Sequence, residues 1–329
     1  MAPILSVRNL HVRFETREGT VQAINGVSFD LDAGEVLGIL GESGSGKSVS
    51  LRALVALLPA ERTRLSGEIW FEGMNLAGLP ERDMNQIRGA KIAMIFQEPM
   101  IALDPVFTIG EQIAESIVRH EGVSWQTATG RARDLLDRVR IPSAAQRLKS
   151  YPHEMSGGMR QRAMVALALA CRPQILLADE PTTALDVTVQ IQIILLLREL
   201  QRELGMAVIF VTHDVGVAVE ISDRIAVMYG GRFVEHGPVV NVIEQPRHPY
   251  TAGLLSSTVH GSRRGQRLDT IPGMPPDLTR LGDGCAFAPR CRYAEDRCVS
   301  MLPELAIIDT QHASACLRIA DGSLTLDDG

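Results

Sequence analysis

Apolar and polar residues alternate near the start of the chain, and short, wholly apolar runs follow further along. Residues 4–14 and 20–31 show the alternation, which predicts strands of a partly exposed sheet. Residues 35–40, 174–178 and 207–212 are compact apolar runs. Runs of this length and composition predict buried strands.

Helical spacing fills much of the sequence between these strands. Residues 81–172 are predicted to be mainly helical, and residues 187–204 to form one long helix. The alternation of strand, helix and strand predicts a parallel sheet with helices packed on it, which is an α/β fold. After about residue 236 the chain becomes rich in Pro, Gly and Arg. Turns and extended segments are expected there.

Length and charge narrow the possibilities. The chain has 329 residues, which suggests two domains or one large domain with an appendage. Its net charge of −6 argues against nucleic-acid binding through a basic face. No apolar run is long enough to span a membrane, and the N-terminus does not have the pattern of a signal peptide. We therefore expect any link to a membrane to come through partner proteins.

Residues 41–48 read GESGSGKS, a complete Walker A motif between a predicted strand and a predicted helix. Its glycines allow backbone N–H groups to face phosphate oxygens, and the following helix directs its positive end at the same anion. Lys47 is expected to reach the β- and γ-phosphates, and Ser48 to bind Mg²⁺. A flexible Gly/Ser loop is the alternative. The residues predicted to bind ATP here are Gly41, Glu42, Ser43, Gly44, Ser45, Gly46, Lys47, Ser48 and Val49.

An Asp-Glu pair ends the apolar run 174–178. Asp179 is expected to hold Mg²⁺ through its water shell. Glu180 is expected to orient the attacking water and act as the general base. A solvated turn is the alternative reading of such a pair, and the Walker A motif upstream makes it the weaker one.

Further motifs resemble those of ABC ATPases. Residues 155–162, MSGGMRQR, resemble the family's signature motif, and Gln97 resembles its Q-loop. Residues 184–186 resemble the D-loop, and His213 resembles the switch histidine. Together with the Walker A motif and the Asp-Glu pair, six motifs stand in the family's order. This order is far more specific than any one motif.

The resemblance implies a fold and an assembly. The fold is the P-loop NTPase core of ABC ATPases, a RecA-like sheet plus an antiparallel β subdomain, with an inserted helical subdomain at about residues 98–172. The assembly is a head-to-tail dimer with ATP at its interface. Residues of one subunit then contact the nucleotide of the other, namely Ser156, Gly157, Gly158 and Asp186.

The resemblance also implies roles for residues of the nucleotide site. His213 contacts the γ-phosphate and, with Glu180 and Lys47, is counted as catalytic. Gln97 joins Ser48 at the Mg²⁺ ion. Phe14 occupies the position of an aromatic residue that stacks on adenine. ATP and Mg²⁺ are the expected substrate and cofactor, and the activity is ATP hydrolysis that drives a transporter.

The tail and the signature point to one branch of the family. Residues 246–255 and 284–291 resemble the C-terminal extension of oligopeptide and dipeptide importer ATPases. The signature also resembles theirs, although Met159 cannot supply the amide hydrogen bonds of the family's more common Gln. The implied division is a nucleotide-binding domain at residues 1–250 and an extension at residues 251–329.

This branch implies partners and a place in the cell. The partners are two integral-membrane permease subunits, a second, paralogous ATPase subunit and an extracytoplasmic substrate-binding protein. The chain would lie on the cytoplasmic face of the inner (plasma) membrane. Nickel chelates, opines or glutathione are the alternative cargoes. A soluble ABC ATPase of DNA repair or translation, and a module that binds ATP without hydrolysing it, are the alternative functions.

Cysteines cluster near the end of the chain in the pattern C-x5-C-x6-C-x17-C. Four thiolates so placed predict a metal site, because disulfides are rare in a reducing cytosol. Zinc favours closer cysteine pairs, so the spacing favours a [4Fe–4S] cluster over zinc. Four reduced thiols in a small packed appendage are the alternative. The cysteines are Cys285, Cys291, Cys298 and Cys316.

Other residues near the end of the chain carry weaker expectations. Arg290, Arg292 and Arg297 are expected to offset the negative charge of the thiolates. His312 is predicted to be an ordinary polar surface histidine, with a ligand of the metal site as the alternative. Cys171, in an apolar helix, is predicted to be an inert core residue.

Overall fold

The computed structural model describes residues 2–183, 185–257 and 270–326. Ala184 of the predicted D-loop lies outside the described residues. The strands, in chain order, are β1 Leu5–Thr16, β2 Gly19–Leu31, β3 Val36–Leu40, β4 Thr63–Phe71, β5 Met74–Asn75, β6 Ile92–Ile95, β7 Ile175–Asp179, β8 Ala207–Thr212, β9 Arg224–Tyr229, β10 Arg232–Pro238, β11 Ala306–Asp309 and β12 His312–Ser314.

Helices alternate with these strands along the chain. They are α1 Lys47–Leu54, α2 Glu81–Ile87, α3 Pro99–Ala102, α4 Ile109–Glu121, α5 Trp125–Arg138, α6 Ala144–Arg147, α7 Gly157–Ala168, α8 Val187–Leu204, α9 Val215–Ile221, α10 Val239–Glu244, α11 Pro249–Ser256, α12 Asp296–Ser300 and α13 Leu317–Ala320. Short 3-10 helices span Pro152–Glu154 and Ala288–Arg290.

One of two compact units comprises residues 32–35 and 78–210. In it β6 and β7 pair in parallel, with Ile92 opposite Ile175. Helix α4 begins at a capping box, in which Thr108 and Glu111 satisfy each other's backbone N–H groups. Helices α4, α5 and α7 of this unit pack through fully buried apolar side chains, among them Ile113, Ile117, Leu136, Val165 and Ala166. Burial of this apolar surface, rather than helix propensity, holds these short helices.

The other unit comprises residues 2–31, 36–77 and the described part of 211–329. It contains an antiparallel sheet in the order β2-β1-β4-β5. A second group of strands has β3 parallel to β9, followed by β10, β12 and β11 in antiparallel pairs. Side chains from β9, α11 and the C-terminal segment form one apolar cluster that includes Tyr229, Tyr250 and Phe287.

The strands predicted from alternation and from apolar runs are confirmed as β1, β2, β3, β7 and β8, and the long helix is α8. The mainly helical prediction for residues 81–172 missed β6, whose four residues are too few to show a period. The turn prediction after residue 236 missed α11, where Pro249 fills the first helical position. Among the described residues, no helix is long and apolar enough to cross a membrane.

Candidate functional site

The phosphate loop joins β3 to α1. Gly46 has φ 110°, and a Cβ there would lie 2.6 Å from the carbonyl oxygen of Ala23. A Cβ on Gly41 would lie 2.3 Å from the carbonyl oxygen of Met228. Both positions therefore require glycine for close backbone approach. The backbone next to the loop therefore leaves room for the glycine-dependent conformation that the motif predicts.

Within the loop, Lys47 is buried, and its ammonium group donates to the backbone. Its Nζ lies 2.8 Å from the carbonyl oxygen of Gly41 and 2.9 Å from that of Glu42. The remaining predicted residues follow the loop into the helix. Ser43 and Gly44 are exposed, Ser45 and Gly46 are buried, and Ser48 and Val49 are half-buried in the first turn of α1. An exposed loop rim beside a helix N-terminus is suited to an anion.

Two more predicted residues belong to the same unit as the loop. Phe14 is half-buried in β1, opposite Val21 of β2 and Thr63 of β4. His213 is exposed directly after β8. The next residue, Asp214, caps α9 by accepting the N–H of Val217. The cap holds the chain on the C-terminal side of His213 in one conformation.

The carboxylate pair and the Q-loop glutamine belong to the other unit. Asp179 ends β7 and is fully buried. Glu180 has φ 45°, an uncommon conformation for a residue with a side chain, and such conformations cluster at functional sites. The Glu180 carboxylate accepts from Gln97 Nε2 at 3.4 Å and from Thr183 Oγ1 at 3.0 Å. The structure thus brings together the predicted general base and the predicted Q-loop residue.

The signature and D-loop residues also lie together in this unit. Ser156 is exposed and caps α7, where its Oγ accepts the N–H of Met159. Asp186 caps α8 in the same way. A Cβ on Gly158 would lie 3.0 Å from Val189 of α8, and one on Gly157 would lie 3.9 Å from the side chain of Leu185. The exposed start of α7 leaves N–H groups and the positive end of a helix facing outward.

The four late cysteines line one cavity, which Phe287, Tyr293 and Arg318 also line. Burial raises the pKa of the Cys285 thiol to about 11, and it also raises the pKa values of Cys291 and Cys316. Thiols with raised pKa values stay protonated at neutral pH unless a metal displaces the proton. Among the described residues, however, no group of three or more His, Cys, Asp or Glu side chains could hold a metal ion. The cavity is present, but the described residues do not assemble a ligand set for a metal ion around it.

Arginines near the cysteines do not have the arrangement that the sequence predicted. Arg290 forms an ion pair with Glu42, and Arg297 pairs with Asp321 and Glu295, so neither serves mainly to neutralise thiolates. Arg292 lies over the ring of Tyr293. The arginine that lines the cavity is Arg318, which sequence reasoning missed.

The surface prediction for His312 is wrong. His312 is fully buried, and its Nε2 lies 2.7 Å from the carboxylate of Glu235, which is also fully buried. No local pattern distinguishes this histidine, because its partner is 77 residues away. Cys171 follows the end of α7 rather than lying within it, and is half-buried. Burial raises its pKa, which agrees with an inert thiol.

Two side chains make contacts with the phosphate loop that the sequence did not predict. Tyr250 and Arg290 both contact Glu42. Both stand in the segments whose resemblance to importer tails was noted, at residues 246–255 and 284–291. That resemblance, and for Arg290 its place beside Cys291, were the sequence signals that pointed to these segments, and neither one indicated Glu42 as the partner.

Comparisons with known proteins decide the family. Residues 24–183 match the family model described as ABC transporter, and residues 234–298 match the C-terminal region of oligopeptide/dipeptide transporters. A putative peptide import ATP-binding protein of Brucella melitensis is 49% identical over 96% of this chain and 97% of its own. The chain belongs to the ABC transporter ATP-binding proteins. The oligopeptide transport ATP-binding protein OppD of Haemophilus influenzae is 48% identical, over 98% of this chain and 99% of its own.

Solved structures agree on the fold. The dimeric ATP-binding cassette MJ0796, solved in a post-hydrolysis state with ADP and phosphate, matches with a TM-score of 0.64 and 29% identity. The match covers 71% of this chain and 98% of that one. CbiO1 of Clostridium perfringens, part of an ABC transporter complex, matches with a TM-score of 0.62 and 27% identity over 74% of this chain and 91% of its own. The chain has the P-loop fold of ABC ATPases, and its activity is ATP hydrolysis with Mg²⁺.

Proposed function

We propose that this ABC ATPase powers the uptake of dipeptides or oligopeptides through a membrane transporter. The observation that carries the proposal is the match of residues 234–298 to the C-terminal region of oligopeptide/dipeptide transporters. Relatives named for peptide import and oligopeptide transport match this chain over nearly its whole length, which supports the same cargo class. Nickel chelates, opines and glutathione are the competing cargoes for the same motor.

We assign the catalytic roles as follows. Glu180 polarises the attacking water, and its hydrogen bond from Gln97 supports a shared role at the water and the Mg²⁺ ion. Lys47 binds the phosphates and Ser48 binds the Mg²⁺ ion, and the geometry of the loop supports both roles. Asp179 holds the ion through water. The remaining assignments are the adenine contact of Phe14, the γ-phosphate contact of His213 and contacts to the opposite subunit's nucleotide from Ser156, Gly157, Gly158 and Asp186.

We propose that the chain works on the cytoplasmic face of the membrane with two permease subunits, a paralogous ATPase and an extracytoplasmic binding protein. The exposed apolar side chains just after Gln97 support a permease contact. Ile101 is 75% exposed and Val106 is 69% exposed, and Met100 and Phe107 are also exposed. Apolar residues gathered in this way on a surface mark interaction sites.

The proposed domains are a nucleotide-binding domain at residues 1–250 and an extension at residues 251–329. The helical subdomain is proposed at about residues 98–172. The run of helices α3 to α7, which follow one another without a strand, supports the subdomain. The cysteine cavity, whose thiols all come from the extension, supports a separate role for the tail.

We propose that the four cysteines hold a [4Fe–4S] cluster. The shared cavity supports this, and Arg318 adds positive charge that acts on Cys291 and Cys316. In such a cluster each cysteine binds a different iron, so the four sulfurs stand further apart than the ligands of one ion. The absence of a single-ion site among the described residues therefore counts against zinc more than against a cluster. A cluster here would be structural or regulatory.

Transport by the purified complex tests the cargo. The complex that copurifies with this chain from membranes is placed in lipid vesicles, and ATP-dependent uptake of a labelled tripeptide is measured with the binding protein present. We expect uptake with the wild-type chain and none with Glu180→Gln. Uptake of a nickel chelate, an opine or glutathione in place of peptide would refute the cargo and leave the motor assignment intact.

A further inference from the structure

Two side chains from the C-terminal part of the chain bind Glu42, the second residue of the phosphate loop. The hydroxyl oxygen of Tyr250, in α11, accepts the backbone N–H of Glu42 at 2.9 Å. The guanidinium of Arg290 donates to both carboxylate oxygens of Glu42, at 2.7 and 3.1 Å. We call Tyr250 and Arg290 the Glu42 clamp. All three residues belong to the same compact unit.

Arg290 is itself held firmly in place. Its side chain is only 6% exposed, and its Nε donates to the carbonyl oxygen of Pro272 at 2.8 Å. Its Nη1 also donates to the hydroxyl of Tyr229, at 3.2 Å. Two parallel hydrogen bonds to one carboxylate need the planar fork of a guanidinium, which lysine does not have.

The peptide that the clamp holds also carries the contacts of Lys47. The Lys47 ammonium donates to the carbonyl oxygens of Gly41 and Glu42. The clamp holds the N–H and the side chain of Glu42, whereas Lys47 binds the carbonyl of the same residue. A shift of Glu42 therefore moves the acceptors that place Lys47. A displacement of about 1 Å is enough to weaken a preorganised site.

We propose that Tyr250 and Arg290 are positioning residues that set the affinity of the phosphate loop for ATP from the C-terminal part of the chain. The inference rests on the proposed role of residues 41–48 in binding ATP. The clamp is also continuous with the cysteine cavity. Cys291 follows Arg290 directly, and Phe287 lines the cavity while its ring packs edge-on against Tyr229.

The test measures ATP affinity in the purified chain and steady-state hydrolysis in the complex that copurifies with it from membranes. Arg290→Met removes the ion pair at similar length, and we expect the Kd and KM for ATP to rise by about tenfold while kcat at saturating ATP changes by less than about threefold. Arg290→Lys keeps the charge without the fork, so an intermediate rise is expected. Tyr250→Phe removes one hydroxyl and should raise Kd by about threefold. The matched control is Arg292→Met, an exposed arginine two positions away, with Kd unchanged.

A double-mutant cycle isolates the contact. If the clamp acts through Glu42, the Glu42→Gln/Arg290→Met chain should bind ATP no more weakly than the weaker of the two single variants. A merely structural role would lower the melting temperature and leave the Kd of the folded chain unchanged, which would overturn the proposal. Tyr250→Phe and Glu42→Gln still decide the matter if Arg290→Met does not fold. Lys47→Ala separates the two claims. Unchanged ATP binding by Lys47→Ala would refute the role of the loop. Loss of ATP binding by Lys47→Ala, together with unchanged ATP binding by the Tyr250 and Arg290 variants, would refute only the clamp.

Discussion

Removal of the His312 side chain should destabilise the unit that contains the C-terminal strands. His312 lies in β12 and Glu235 in β10, both fully buried, with 2.7 Å between Nε2 and the carboxylate oxygen. The same oxygen accepts the backbone N–H of Arg247. In His312→Ala the Glu235 carboxylate keeps that one donor and loses the other, while a ring-sized void opens beside it. Leaving a buried acceptor without one of its donors and opening a void beside it costs together about 3–5 kcal/mol.

Urea unfolding measures this loss in the unit concerned. The chain has two tryptophans, and a Trp125→Phe background leaves Trp70 of β4, which belongs to the same unit as the pair. We expect His312→Ala to lower the free energy of unfolding by about 3–5 kcal/mol and His312→Gln, whose amide can still donate, by about half as much.

The matched control is His213→Ala. His213 is an exposed histidine of the same unit, and its removal should cost less than about 0.5 kcal/mol. If His312→Ala lowers the free energy of unfolding by less than about 1 kcal/mol more than the control does, the pair contributes little and the reasoning is refuted.

Three further outcomes are expected. Gly46→Ala should abolish ATP binding measured by calorimetry, because the added Cβ would lie 2.6 Å from a backbone oxygen at φ 110°; retained binding would contradict the loop geometry. Burial lowers the pKa of His248 to about 3 and that of His236 to about 4, so the unfolded chain binds more protons below pH 6.5. Urea midpoints should thus fall as the pH drops from 6.5 towards 4, and a flat profile would refute this. Anaerobically purified protein should contain about four irons per chain, lost in Cys291→Ser; zinc without iron would refute the cluster.

Much of the nucleotide site could be predicted because each motif is local. The Walker A residues, the Asp179-Glu180 pair and the caps at Ser156 and Asp186 depend on neighbours within a few positions. The strands before them are apolar runs with clear ends. Two elements were missed for local reasons. Strand β6 is too short to show a period, and helix α11 begins with a proline.

Contacts between distant segments could not be predicted. Arg290 pairs with a residue 248 positions away, and His312 with one 77 positions away. In a single sequence an arginine beside cysteines and a histidine near a terminus suit several partners equally well. Which partner each side chain meets depends on how β9, β10, α11 and the C-terminal segment pack around Tyr229 and Phe287. The local sequence pattern does not encode this packing.

ATP hydrolysis by the complex that copurifies with this chain from membranes, carrying either the wild-type chain or Glu180→Gln, tests the central claim most directly. We expect both complexes to bind ATP with similar affinity and the variant to lose at least about 100-fold in kcat, because the general base is gone while the phosphate loop is intact. Gln97→Ala serves as a second variant at the same carboxylate. Equal rates of hydrolysis in the wild type and Glu180→Gln would contradict the account.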